Sequence, residues 1–90
     1  MVTNELIKET VKKIENDYSK LLSRREIEIV IHYLDAGMSP RCVEYACYVS
    51  WVQRYGRLDM KYAEHVLFNW LKQGFTTYED AKTYVESTKE

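Results

Sequence analysis

Apolar residues recur at helical spacing in five separate stretches of the chain, each bounded by residues that start or stop helices. In residues 3–18, Ile7, Val11, Ile14 and Tyr18 return at steps of four, three and four, with Lys8, Lys12, Lys13 and Glu15 around the other side. That is an amphipathic helix for which Thr3 or Asn4 supplies the cap. Its stripe is narrow, so it lies either on the body of the domain or against another chain. Residues 16–22 break the pattern and predict a short connection with Leu21 and Leu22 turned inward. Ser23-Arg-Arg-Glu26 is a capping box, in which the hydroxyl and the carboxylate each satisfy a free N–H of the first turn. The helix it opens runs to about Ala36 with Ile27, Val30, Ile31 and Leu34 inward, and Gly37 closes it.

Ser39-Pro40 supplies the next cap and first helical residue, because proline at that position loses no needed N–H. The helix from Pro40 to about Tyr55 is apolar on almost every side. Val43, Ala46, Cys47 and Ser50 make one row, and Cys42, Tyr45, Val49 and Val52 another, which predicts a central helix closely approached by a neighbour. Asp59 caps a fourth helix from Met60 to about Gln73, with Gly74 beyond it. In it Ala63, Val66, Leu67 and Trp70 fall at i, i+3, i+4 and i+7, while Tyr62, Val66 and Trp70 form a ladder at every fourth residue. Thr76-Thr-Tyr-Glu79 reads as a second capping box, opening a last helix to about Ser87 with Tyr78, Ala81, Tyr84 and Val85 available for contact and a frayed tail after it. The expected fold is all-α, a compact orthogonal bundle of about five short helices. It forms a single domain over residues 1–90, with a first helix in 1–18 and a helical core in 23–87.

Composition narrows the function classes. Ninety residues leave no room for a second domain, and no uncharged run is long enough to span a membrane or act as a secretory signal, so the cytoplasm is the expected compartment. The net charge of −1 argues against a strongly basic nucleic-acid module, yet all five arginines (Arg24, Arg25, Arg41, Arg54 and Arg57) fall within residues 24–58. Any phosphate-facing surface is to be sought there. Cys42 and Cys47, five apart on one helix, cannot form a disulfide and read as buried reduced thiols. His32 and His65 lack the further converging ligands that a metal site needs, and neither cysteine has a histidine partner patterned for nucleophilic catalysis. No phosphate loop or paired-carboxylate motif is present, so neither an enzyme nor a cofactor is expected.

The ladder Tyr62-x-x-x-Val66-x-x-x-Trp70, followed by Leu71-Lys-Gln-Gly74 and Thr76-Thr-Tyr-Glu-Asp-Ala81, resembles the Tyr-x-x-x-Ile-x-x-x-Trp signature and following turn of the C-terminal domain of the DnaD-like replication-initiation family. Leu22-Ser-Arg-Arg-Glu-Ile-Glu28 and Gly37-Met-Ser-Pro40 are similar to that family's helix starts. The likeness covers roughly Tyr18 to Tyr84 and departs at Val66, one methylene short of the usual isoleucine. It implies a non-catalytic component of replication initiation in a bacterial, phage or prophage setting: a primosome scaffold that binds DNA or helps to load the replicative helicase. The implied partners are weakly bound single-stranded or duplex DNA and replication proteins such as a helicase or its loader, with no membrane. The winged-helix segment that usually precedes this domain in the family has no counterpart in these ninety residues, which fits a shortened phage protein or a piece of a longer one.

The family's association of the motif with DNA carries over to Tyr62, Val66 and Trp70. Spacing alone makes the same ladder a piece of core. Arg54, Arg57, Lys61, Lys72 and Lys82 lie near the ends of the third, fourth and fifth helices, and we expect several of them to form one phosphate-contacting rim. Glu79, Asp80, Glu86 and Glu90 make the last helix acidic and weaken that expectation. Eight tyrosines and two tryptophans exceed what a small core hides, so some should form a recognition surface, with a homo-oligomer the simplest partner. The alternative to a DNA-contacting scaffold is a protein-interaction or oligomerisation module with no DNA role.

Overall fold

The computed structural model describes residues 2–87, and within them every regular element is a helix: α1 (Asn4–Tyr18), α2 (Arg24–Asp35), α3 (Pro40–Gln53), α4 (Met60–Lys72) and α5 (Tyr78–Ser87). Each begins where a short polar side chain replaces a missing backbone partner. Thr3 Oγ1 accepts from the Leu6 N–H, and Ser39 Oγ from that of Cys42, both at 3.1 Å. At α2 the capping box is complete: Ser23 Oγ accepts from the Glu26 N–H at 3.2 Å, and the Glu26 carboxylate accepts from the Ser23 N–H at 2.8 Å. Asp59 Oδ1 accepts from the N–H groups of Lys61 and Tyr62 at 3.0 and 3.2 Å.

Three features differ from the sequence reading. The box expected at Thr76 and Glu79 is displaced by one residue: Thr77 Oγ1 accepts from the Asp80 N–H at 3.2 Å. Thr76 is held elsewhere, because its carbonyl accepts the Ser39 N–H at 2.8 Å and ties the approach to α5 to the start of α3. The first helix ends at Tyr18 as expected, and Ser19 closes it at φ 50°. The third ends at Gln53 rather than Tyr55. Leu22 is 7% exposed as expected, but Leu21 is 84% exposed, against the expectation that both turn inward. In so short a connection successive side chains face opposite ways, and a bond from the Leu22 N–H to the Glu15 carboxylate at 2.9 Å fixes which of the two enters the core. The tail expected to fray, residues 88–90, lies outside the described residues.

Helix α3 is the centre of the bundle and touches all four other helices. Its inner row of Val43, Ala46, Cys47 and Ser50 is fully buried, and the small side chains in it let α4 approach through Ala63 and Leu67, which are also fully buried. Cys47 Sγ lies 3.8 Å from Met60 Sδ across that seam. Ser50 fixes the geometry of the α3–α4 turn. Its hydroxyl donates to the Asp59 carbonyl at 2.8 Å and accepts from the Asp59 N–H at 3.1 Å, locking the cap of α4 to the last turn of α3. Helix α1 lies on the body of the domain, with Thr10 and Ile14 buried against it. On α2 the inner face is Val30, Tyr33 and Leu34, while Ile27 and Ile31 are half-buried. The molecule measures 36 × 30 × 17 Å, so it is only two helix layers deep. Such a slab cannot enclose every large ring that the sequence supplies.

Candidate nucleic-acid interface

The ladder on α4 grades from core to surface. Trp70 is 2% exposed, its ring stacked on Tyr45 with centroids 5.7 Å apart, and Tyr45 in turn meets Tyr78 edge-on at 5.0 Å. Trp70 and Tyr45 together therefore link α4, α3 and α5. Val66 is half-buried, and so is Tyr62, whose ring lies 5.8 Å from the Arg54 guanidinium carbon. A base can stack only on a ring with an open face, so in this fold Trp70 belongs to the core and Tyr62 is the rung nearest to solvent and to positive charge.

The five cations named from the sequence separate into two groups. Arg54, Arg57 and Lys61 line one open cleft of about 610 Å³, where Lys20 and Arg25 join them. Lys72 ends α4, eleven residues from Lys61, and is thus about 16 Å away along the helix axis. Lys82 stands on α5 with its ammonium 5.7 Å from the Tyr78 ring, beside Arg41, whose guanidinium carbon is 4.1 Å from the same ring. No single rim holds all five.

The cleft lies between the starts of α2 and α4 and the end of α3. Ser23, Arg25 and Glu26 come from the first of these, Asp59, Met60 and Lys61 from the second, and Arg54 and Arg57 from the third. Five cations face three carboxylates, Glu26, Asp59 and Glu64. Two of those carboxylates already cap helices. Lys20 Nζ meets Glu26 at 3.1 Å, and Arg54 Nε meets Asp59 at 3.4 Å. Partial burial pushes the Glu26 carboxyl upward, but hydrogen bonds from Ser23 and Lys20 outweigh it and hold the group below the ordinary carboxylate range, so it stays ionised. Arg25, Arg57 and Lys61 take part in neither ion pair, and both helix starts turn their positive dipole ends toward the same space. Phosphate is the kind of group that such a surface attracts.

A second feature escaped the sequence reading. Tyr48, Trp51, Val52 and Tyr55 stand at i, i+3, i+4 and i+7 on the outer side of α3 and its C-terminal turn, with exposures of 50, 39, 47 and 97%. Tyr48 stacks on Trp51 with centroids 6.3 Å apart, and Tyr18 of α1 leans on Trp51 at 6.4 Å. The spacing was visible in the sequence as a further stripe on a helix that is apolar nearly all round.

Both cysteines are fully buried free thiols. Burial and then the charge of Asp80 push Cys42 up to about 11, and burial and then Glu44 push Cys47 up to about 12. At neutral pH neither carries appreciable thiolate. A thiol reagent should label neither cysteine in the folded protein at pH 7 and both after unfolding. Rapid labelling of the native protein would show that the α3–α4 seam opens. Among the described residues no three His, Cys, Asp or Glu side chains come together to hold a metal ion.

The architecture defines a small all-helical module that presents a cation-lined cleft and an aromatic strip on a closely packed core. Its sequence matches a family model described as replication initiation and membrane attachment over residues 11–85, a DnaD-like domain family, and the chain belongs to that family. No curated protein and no solved structure matches it. None of the helices among the described residues is long and apolar enough to cross a membrane.

Proposed function

We propose that this domain serves replication initiation as a non-catalytic scaffold that holds nucleic-acid backbone in the cleft between the starts of α2 and α4 and presents its outer face to partner replication proteins in a primosome. The observation that carries this reading is the convergence of Lys20, Arg25, Arg54, Arg57 and Lys61 on one cleft in a chain of net charge −1. Five of the thirteen lysines and arginines thus share one cleft with only three carboxylates, a local excess of positive charge in a chain that is slightly acidic as a whole. Backbone contact is assigned to these residues, with Tyr62 beside them; Lys72 and Lys82 stand apart from the cleft. The proposed setting is the cytoplasm of a bacterium, or a phage or prophage replication system.

Fluorescence anisotropy with single-stranded and duplex oligonucleotides tests the proposal. Binding should be measurable at about 50 mM salt and weaken as salt rises, with a logarithmic slope of about 0.7 per phosphate neutralised on single strands and about 0.9 on duplex. Correctly folded protein that binds neither oligonucleotide at that salt would overturn it. A second reading, a protein-interaction module without a DNA role, is favoured by the exposed aromatic strip on α3, since monomeric proteins rarely leave such a patch uncovered. It predicts a stable oligomer or partner complex by light scattering and no salt-dependent DNA binding.

A further inference from the structure

Tyr55 occupies a backbone position that ordinarily belongs to glycine. The Gly56 N–H donates to the Trp51 carbonyl at 2.8 Å and the Tyr55 N–H to the Val52 carbonyl at 3.4 Å, the two bonds of a Schellman closure. That closure places its penultimate residue in the left-handed region, and Tyr55 is there at φ 60°. A side chain in that region crowds its own backbone and costs free energy that glycine does not. Nothing in the fold offsets the cost, because Tyr55 is 97% exposed and its ring packs on no neighbour. Strain that packing does not compensate is characteristic of functional positions.

The surroundings say what such a ring would meet. Along the chain Tyr55 falls between Arg54 and Arg57, both of which line the cleft, and Trp51, four residues back in the last turn of α3, is 39% exposed. An open aromatic ring one and two residues along the chain from arginines that line a cleft suits a ligand that alternates flat rings with phosphates.

We infer that Tyr55, with Trp51 beside it, is a stacking platform for an unpaired base whose flanking phosphates are held by Arg54 and Arg57 in the cleft. The inference rests on the reading of the cleft as a phosphate-binding surface and adds a strand preference to it. A base in a duplex has both faces covered by its neighbours, so the platform discriminates for single strands, whereas the cleft cations act on either form. It also relocates stacking from Trp70, whose ring is enclosed, to a ring that is open.

The test compares the whole chain with Tyr55→Gly and Tyr55→Phe, each titrated with a labelled oligothymidylate and with a duplex of equal length, alongside thermal melts. Tyr55→Gly should weaken single-strand binding by about five- to a hundredfold, the loss of one stacked base, while leaving duplex binding unchanged. Its Tm should equal or exceed that of the unaltered protein, because the left-handed strain is gone. Tyr55→Phe, which keeps the ring, should retain single-strand affinity. If the unaltered protein binds and Tyr55→Gly binds the single strand equally well, the platform is wrong and the phosphate cleft stands. Equal losses on single strand and duplex, or a fall in Tm, would show that Tyr55 shapes the turn instead, and would also overturn the platform. An unaltered protein that binds neither oligonucleotide removes the cleft reading and the platform together.

Discussion

Trp70→Ala lowers the stability of the domain by about 3–5 kcal/mol, as expected for removing a large buried aromatic side chain. For a chain of this size total stability is on the order of 5–13 kcal/mol, so the change removes a large share of it and lowers Tm by well over ten degrees. The ring is 2% exposed, stacked on Tyr45 of α3, and linked through Tyr45 to Tyr78 of α5. Deleting it leaves a cavity against Tyr45, at the ring cluster through which α3, α4 and α5 meet. Trp70→Phe keeps a ring in place and should cost markedly less. Circular dichroism melts of the two variants, with urea unfolding for the free energies, check the order. Any loss of DNA binding by Trp70→Ala should follow its unfolding curve. If binding disappeared with Tm unchanged, Trp70 would have to meet DNA directly, and its burial in the core would be wrong.

The same residue shows what the sequence could and could not disclose. Helix starts were legible because a cap is a local device: Ser23, Ser39 and Asp59 each act on an N–H two or three residues away, and each is found where spacing placed it. The cap of α5 was off by one residue because Thr76 with Glu79 and Thr77 with Asp80 are equivalent locally. A contact from the distant Ser39 N–H decides between them. The inner row of α3 was legible from its small residues. Its outer stripe from Tyr48 to Tyr55 was not, since periodicity on a helix that is apolar nearly all round does not say which side a neighbour covers. The candidate site depends on tertiary placement even more. Arg54 and Arg57 could be suspected from their position after α3, whereas Lys20 and Arg25 reach the cleft only through the α1–α2 connection. Lys72 was grouped with Lys61 because both lie at ends of α4. They are opposite ends, and the helix itself separates them.

That separation makes the second large effect a comparison between two pairs of lysines and arginines. Arg57→Glu with Lys61→Glu should reduce DNA affinity at low salt by about two to three orders of magnitude. Each reversal removes one attraction and adds one repulsion, each worth about 1 kcal/mol at 4 Å in water before salt screening. Neutralising the pair with glutamine instead should lower the salt slope on single strands by about 1.4, two phosphate contacts at about 0.7 each. Neither change should damage the fold. Both side chains are exposed, so the expected stability change is within about 0.5 kcal/mol, and a glutamate at position 61 stands in the first turn of α4, where negative charge is favoured by the helix dipole. Lys72→Glu with Lys82→Glu alters net charge by the same amount outside the cleft and should change affinity far less. Anisotropy titrations of the two charge-reversed proteins over a series of salt concentrations separate local contact from a general effect of net charge. Equal losses would place the nucleic-acid backbone along α4 and α5 and would remove the cleft from the interface.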